Sequence, residues 1–237
     1  MIIEGRNQVR EALSSGVTVE KVLVAKGAEG SVGAVVALAR EKGVRVTYVD
    51  KSVLDRNSVT KHHQGVMAYT TEFEYCELED ILASPKGQHH LILVLDEIED
   101  PHNLGSMIRV ADVLGADGVV IPARRGATVN ETVVRTSAGA TAYVKIAKVG
   151  NINDAIRVLK DNFVTVLALD MDGEDIASSH LDGDLALVVG NEGKGVKVLT
   201  RKLCDGAVSI PQVGHIDSLN ASVAMGIALY EAVRQRR

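Results

Sequence analysis

From Leu91 onward six short apolar runs recur: Leu-Ile-Leu-Val-Leu-Asp (91–96), Gly-Val-Val-Ile-Pro (118–122), Tyr-Val-Lys-Ile-Ala (143–147), Phe-Val-Thr-Val-Leu-Ala-Leu (163–169), Leu-Ala-Leu-Val-Val-Gly (185–190) and Ala-Val-Ser-Ile-Pro (207–211). A run such as 91–96, apolar without alternation, belongs to a strand covered on both faces, as parallel strands are when their crossover helices lie on either side of the sheet. Helical patterns fall between several of these runs, at Leu104–Leu114, Glu131–Ala138 and Asn153–Asn162, with a last one at Leu219–Arg236. Strand and helix in this order predict a doubly wound α/β domain over 91–237.

The first 72 residues alternate on a smaller scale. Helical patterns at Arg6–Ser14, Val32–Lys42 and Lys51–Asn57 are interleaved with strand patterns at Glu20–Ala25, Val44–Val49 and Val66–Thr70, with glycines at 16, 27, 30 and 43 punctuating them. This reads as a small separate α/β domain. Residues 73–90 are acidic and then polar, with Pro85 and Gly87 near their end and a short helix at Leu78–Ala83, and read as a connector.

Neither composition nor charge forces a partner. The formal charge of −5 argues mildly against a nucleic-acid ligand, yet phosphate binding depends on where basic residues gather rather than on their sum. Cys76 and Cys204 stand far apart with no Cys-x-x-Cys or Cys/His cluster, so neither a disulfide framework nor a zinc site is expected. No apolar run reaches membrane-spanning length and the N-terminus carries charge where a signal peptide would be apolar. The expected setting is cytoplasmic, with no membrane partner.

Three segments follow strand-like runs, where open α/β sheets gather their ligands. The first holds Asp100-Pro101-His102-Asn103, with Asn103 as a candidate cap on the helix carrying Arg109; the second is Gly190-Asn191-Glu192-Gly193-Lys194-Gly195; the third runs from Ile210-Pro211 to Ser218-Leu219-Asn220. Each alone has a plain explanation: glycine-rich turns are common, and Asn and Ser cap helices. The second segment has neither Walker A spacing nor Gly-x-Gly-x-x-Gly, which weakens a nucleotide-dependent oxidoreductase reading.

Together and in this order they are specific. The chain resembles the SpoU (TrmH-like) family of RNA 2'-O-methyltransferases, through Asp100, Pro101, Asn103, Gly105 and Arg109, through Gly190, Glu192 and Gly193, and through Ile210, Pro211, Ser218, Leu219 and Asn220. Ser137–Ala140 also looks familial. Gly5–Leu13 and His63-Gln64-Gly65-Val66 resemble the ends of the N-terminal domain in the subgroup that methylates a guanosine of 23S ribosomal RNA. Two positions depart from the usual pattern: Gln212 stands where Met commonly follows Ile-Pro, and Ala221 where Val commonly follows Ser-Leu-Asn.

The resemblance implies a C-terminal α/β-knot domain, with a mostly parallel sheet threaded into a trefoil knot, joined to an N-terminal ribosomal-protein-like RNA-binding domain. It implies S-adenosylmethionine as cofactor, held near Gly190, Ile210, Leu219 and Asn220, and a homodimer. Asn103, Arg109, Glu192, Ser218 and Asn220 are then the catalytic candidates, and Arg6, Asn7, Arg10, His63 and Gln64 the RNA-binding ones. A sulfonium leaving group is already activated, so no metal is expected. Family schemes often make the arginine the base; because guanidinium is effectively always protonated, Arg109 is expected instead to stabilise the developing alkoxide and hold phosphate, with Glu192 or water taking the proton. Rival readings are methylation of a tRNA or of a ribosomal adenosine and, from another class, a non-catalytic RNA-binding ribosome-assembly protein.

The final helix bears on the dimer. Leu219, Val223, Ile227, Tyr230 and Val233 recur at helical spacing with Ala221, Ala224, Gly226 and Ala228 among them. A helix this apolar is expected to be covered on more than one side, one of them by a second copy, with Ala228 on its outer face.

Overall fold

The computed structural model describes residues 2–14, 19–28, 30–70, 73–191, 193–215 and 218–237. The chain divides into two compact units, Met1–Glu74 and Tyr75–Arg237.

In the first unit the order is β1 (Ile2–Glu4), α1 (Arg6–Ser14), β2 (Val19–Ala25), α2 (Val32–Glu41), β3 (Arg45–Val49), α3 (Lys51–Asn57) and β4 (Val66–Thr70). The strands form one sheet in the order β1-β4-β2-β3, with β2 and β3 parallel and β4 antiparallel to both its neighbours. Side chains alternate across it with period two. Val22 and Val24 of β2 and Val66 and Ala68 of β4 meet Val9, Leu13, Val32 and Val35 of α1 and α2; Leu23, Ala25 and Met67 meet Leu54 of α3. The result is a three-layer α/β/α unit. Glu4 is 3% exposed. Its carboxylate accepts from Ser58 Oγ (2.6 Å), Thr60 Oγ1 (2.6 Å) and the Val59 amide (2.5 Å), which fastens the loop after α3 to β1.

The second unit contains α4 (Leu78–Leu82), β5 (Leu91–Asp96), α5 (Pro101–Val113), β6 (Gly118–Pro122), α6 (Glu131–Thr136), β7 (Lys145–Val149), α7 (Ile152–Asp161), β8 (Thr165–Asp175), β9 (Leu185–Gly190), α8 (Val198–Leu203), β10 (Gly206–Ser209) and α9 (Ala221–Gln235), with a short 3-10 turn at Ala140–Ala142. All six strands are parallel, in the order β10-β8-β9-β5-β6-β7. The α/β class and the parallel sheet expected from the apolar runs are present. Ile92, Val94, Val120, Val166, Ala186 and Val188 face α4, α7 and α8, whereas α5, α6 and α9 pack together on the other side.

The stretch read as a connector, 73–90, is a correction. From Tyr75 it belongs to the second unit: the Cys76 amide donates to Ile146 O (3.0 Å), Leu78 and Ile81 are buried, and the Lys86 amide donates to Asp117 (2.6 Å). Its polar composition hides a one-turn helix that needs only two apolar residues to dock. The expected boundary at residue 72 falls outside the described residues.

At the amino edge of this sheet Arg236, just beyond α9, donates to the carbonyls of Leu181 (3.2 Å), His90 (2.9 Å) and Gly183 (2.5 Å). Asp117 and Asp184 hold the amides of Leu91 (2.8 Å) and His90 (2.7 Å) beside it. The amides of His90 and Leu91 at the entrance of β5 are thereby satisfied, and Arg236 adds a second donor to the His90 carbonyl, which also accepts from the Leu185 amide (2.9 Å).

Candidate active site

At the opposite, carboxyl edge, the ends of β8, β9 and β10 and the start of α9 enclose a cavity of about 390 Å³. Leu169–Met171, Val189 and Gly190 form one side, the loop after β9 another, and Ile210, Gln212, Ser218, Leu219, Ala221 and Ala224 the rest. This volume lies in the range of small-molecule sites, roughly 300–1,000 Å³.

The loop after β9 folds back on itself. Asn191 and Gly195 exchange backbone hydrogen bonds (3.1 and 2.8 Å), the Gly193 amide donates to Asn191 Oδ1 (3.0 Å), and Asn191 Nδ2 donates to Glu97 O (3.0 Å), tying the loop to the end of β5. A second tie runs from Lys197 Nζ to Glu97 Oε1 (2.7 Å) and to the buried Asp96 (3.4 Å). Burial disfavours the Lys197 charge, but these two carboxylates outweigh it and raise its pKa above the ordinary value. The fold-back explains Gly190: a Cβ there would lie 2.1 Å from Gly195 C and 2.2 Å from Val196 N.

The α5 and α9 segments meet directly. Asn220 is the N-cap of α9, its Oδ1 accepting from the amides of Ser222 (3.0 Å) and Val223 (3.3 Å), and its Nδ2 donates to Asn103 Oδ1 (3.1 Å). Asn103 itself is not the cap of α5. That position belongs to Asp100, which accepts from the His102 amide (2.9 Å) ahead of Pro101 in the first turn. Gly105 also has a packing reason, since a Cβ there would be 2.7 Å from Thr136 Cβ. The Ser137–Ala140 segment is the left-handed turn that ends α6 against it, with Ala138 at φ 52° and Gly139 at 86°.

The structure therefore brings Gly190, Ile210, Ser218 and Leu219 into one cavity lining, with Asn220 and Asn103 joined beside it. The two departures from the family pattern, Gln212 and Ala221, line the cavity too. Among the described residues the main-chain N–H groups of Gln212 and Leu219 make no hydrogen bond, which leaves donors at the wall. Arg109 is exposed on α5, forms no ion pair with a described residue and is not part of the lining. Glu192 lies outside the described residues. Asp170 and Met171 also line the cavity, although the sequence reading did not single them out; the available signal was a polar residue at the carboxyl end of the 163–169 run. Among the described residues no group of three His, Cys, Asp or Glu is placed to hold a metal ion, and no helix is long and apolar enough to cross a membrane.

In the first unit the RNA-binding candidates separate. Asn7 and Arg10 are exposed on α1. Arg6 instead reaches the 61–65 loop: its Nε donates to Gln64 O (3.0 Å), its amide to Gln64 Oε1 (3.2 Å), and its Nη1 to Ser31 Oγ (3.3 Å). His63, expected to face RNA, is 5% exposed with both ring nitrogens engaged. Its Nδ1 accepts from the Gly65 amide (3.0 Å), so Nε2 carries the proton and donates to Asp55 (2.9 Å). That ring shapes the loop and has no free edge for a base.

Comparison with known proteins follows the same division. The SpoU rRNA Methylase family model matches residues 90–230, and the model for RNA 2'-O ribose methyltransferase substrate binding matches residues 2–76. The Bacillus subtilis protein named "Putative TrmH family tRNA/rRNA methyltransferase YacO" is 39% identical over 236 residues, covering 98% of this chain and 94% of its own. The SpoU methyltransferase AviRb of Streptomyces viridochromogenes, solved with AdoMet, superposes with a TM-score of 0.80 at 27% identity, over 100% of this chain and 90% of that one. An AdoMet-bound rRNA methyltransferase of Sinorhizobium meliloti gives 0.75 at 30% identity, over 98% and 86%.

Proposed function

Because the chain belongs to the SpoU rRNA methylase family, and is thus an S-adenosylmethionine-dependent RNA ribose 2'-O-methyltransferase, we propose that its substrate is a guanosine of 23S ribosomal RNA and that Asn103, Arg109, Glu192, Ser218 and Asn220 carry the reaction. The observation that carries the placement of the site is the 3.1 Å bond from Asn220 to Asn103 beside a cavity lined by Gly190, Ile210 and Leu219. Residues spread over more than a hundred positions of sequence converge there on one sheet edge.

The cavity suits the cofactor: apolar strand ends accept an adenine, and the amides of Gln212 and Leu219 supply hydrogen-bond donors. When bound, S-adenosylmethionine supplies a methyl group on a sulfonium, a leaving group that needs no further activation. With the cofactor bound, the ribose 2'-oxygen would accept that methyl group and the sulfur would leave as the neutral thioether, with Glu192 or water as acceptor of the hydroxyl proton. The protein's task is alignment of the reacting atoms and stabilisation of the charge that develops on oxygen. Asn103 and Asn220 fix each other's orientation, Ser218 faces the cavity, and a permanently charged Arg109 holds phosphate and the developing alkoxide.

Arg109 lies outside the lining of a single chain, and the stripe Leu219, Val223, Ile227 and Tyr230 is 39–56% exposed. These facts support a homodimer in which a second copy covers the stripe and completes the site. The trefoil threading of the C-terminal segment belongs to the same proposal, supported by membership of the family. Exposed Asn7 and Arg10 are the first unit's proposed RNA contacts, with Arg6, Gln64 and His63 shaping the loop near them.

The test is incubation with labelled S-adenosylmethionine and unmodified 23S rRNA or tRNA, followed by mapping of ribose methylation. A methylated guanosine in 23S rRNA is the expected product. Modification of tRNA or of an adenosine would overturn the substrate, and cofactor binding without transfer to any RNA would favour the assembly-protein alternative.

A further inference from the structure

The connection from β6 to α6, residues 123–130, takes eight residues, where such folds commonly use roughly 2–6. It is fastened along its length. The Ala123 amide donates to Val149 O (2.8 Å), the Ala127 amide to Ile98 O (2.7 Å) and the Val129 amide to Tyr75 Oη (2.9 Å), and Asn130 caps α6 by accepting from the Val133 amide (3.0 Å). Gly126 is pressed against the Pro122 ring, where a Cβ would come within 2.9 Å.

Between these fastenings Arg124 and Arg125 are exposed, and among the described residues neither makes a hydrogen bond or an ion pair. Arg125 is held at φ 61°, a left-handed conformation that a residue with a Cβ rarely adopts. Lys148 adds a third cation at the loop's base, its ammonium 4.1 Å over the Tyr75 ring. Glu97, at the end of neighbouring β5, is already paired with Lys197. Two unpaired arginines next to each other on a fastened loop concentrate positive charge, which suits a polyanion.

Position identifies which part of it. The sheet order places β5 between β9 and β6, and strands lie about 4.8 Å apart, so the loop leaves the carboxyl edge about 10 Å from the end of β9, where the cavity opens. We propose that Arg124 and Arg125 bind RNA phosphates flanking the ribose to be methylated, each guanidinium gripping phosphate oxygens with its planar fork. The inference rests on the RNA methyltransferase reading for its ligand and adds a contact surface in the methylase unit itself.

The full-length protein is titrated with unmodified 23S rRNA transcript across about 50–200 mM salt. Replacing both arginines by alanine is expected to weaken binding about tenfold or more at the low-salt end. The slope of log affinity against log salt should fall by about 1.4–1.8, the sum for two lost phosphate contacts. KM for RNA should rise in proportion, while S-adenosylmethionine affinity and Tm stay at wild-type values. The double lysine variant should recover most of the slope but not the full affinity, because it restores charge without the fork. An alanine pair with wild-type affinity and slope overturns the inference, as does a parallel fall in cofactor affinity and Tm, which would make the arginines structural. Wild-type protein that binds this RNA with the expected dependence on both arginines, yet methylates neither rRNA nor tRNA, refutes the catalytic reading and leaves the phosphate contacts standing.

Discussion

Gly190→Ala tests the geometry of the cavity floor. The new Cβ would lie 2.1 Å from Gly195 C and 2.2 Å from both Gly195 O and Val196 N, all main-chain atoms that cannot rotate away. Relief requires the 191–197 loop to lift, which gives up the two Asn191–Gly195 bonds and the bond from Asn191 to Glu97 O. At about 1 kcal/mol each these amount to about 3 kcal/mol, within what overpacking a tight interior commonly costs. For a protein of this size that lowers Tm by about 6–12 °C. Cofactor affinity should fall at least tenfold, because the displaced loop is part of the cavity wall. Scanning calorimetry and isothermal titration with S-adenosylmethionine read the two effects. Gly193→Ala is the control, since among the described residues its Cβ would meet only Asn191 Oδ1 at an ordinary 3.7 Å, and it should melt within a degree or two of wild type. Wild-type Tm and cofactor affinity in Gly190→Ala would refute the argument.

Asn220→Asp keeps the capping oxygen for Ser222 and Val223 but sets a carboxylate against Asn103 Oδ1; Tm should hold while kcat falls at least tenfold, whereas Asn220→Ala should also lose about 1 kcal/mol of stability. Burial pushes the Glu4 pKa up, but donors from Ser58, Thr60 and the Val59 amide outweigh it and leave it below the ordinary carboxylate value. A depressed folded pKa contributes stability that is complete above the unfolded pKa and is lost as pH falls through the folded one; in urea melts Glu4→Gln should therefore be less stable than wild type at neutral pH, and the gap should close in acid. A gap that widens in acid would reverse the assignment. Ile227→Glu, on the exposed stripe of α9, should give folded monomers in analytical ultracentrifugation, and a dimer of unchanged affinity would count against that interface. Ala228→Glu should instead unfold the domain, because Ala228 is 0% exposed and not on the outer face that the sequence spacing led one to expect.

Local pattern was a reliable guide wherever one residue's neighbours in sequence are also its neighbours in space. β6, β9, α1, α3 and β4 begin and end where the apolar periodicity places them, and the last helix is shorter than expected by Leu219 and Asn220 at its start, Asn220 being its N-cap, and by Arg236 at its end. Strand order was beyond such reasoning: nothing in Leu185–Gly190 says that it lies between β8 and β5. The same holds for His63, whose burial depends on Asp55 and on the turn at Gly65, and for Ala228, since helical spacing identifies a stripe without saying which stripe meets α5. Gly190, Ile210, Ser218, Leu219 and Asn220 were singled out because residue type and order recur across a family. Their meeting around one cavity is a property of the sheet's connectivity. The fastening roles of Asn191, which the glycine-rich segment includes, and of Lys197 were not legible because their partners lie at the end of β5, about a hundred positions away.

The Arg236 clamp sets a direction on how this domain is assembled. β5 lies inside the sheet and is made before every other strand of it, but the His90 carbonyl at its entrance, which the Leu185 amide also reaches, gains its second donor only from a guanidinium that follows α9. During synthesis the central strands can collapse against their helices while that edge is still open, and a segment made after every strand of the sheet closes it. Domain folding during translation is thus divided into an early core and a late latch. Loss of the latch, by proteolytic trimming or by Arg236→Ala, should loosen β5 and β9 from their amino ends while the cavity at the other edge keeps its shape. Amide exchange would register this as faster opening at Leu91 and Leu185 than at Val94 and Val188.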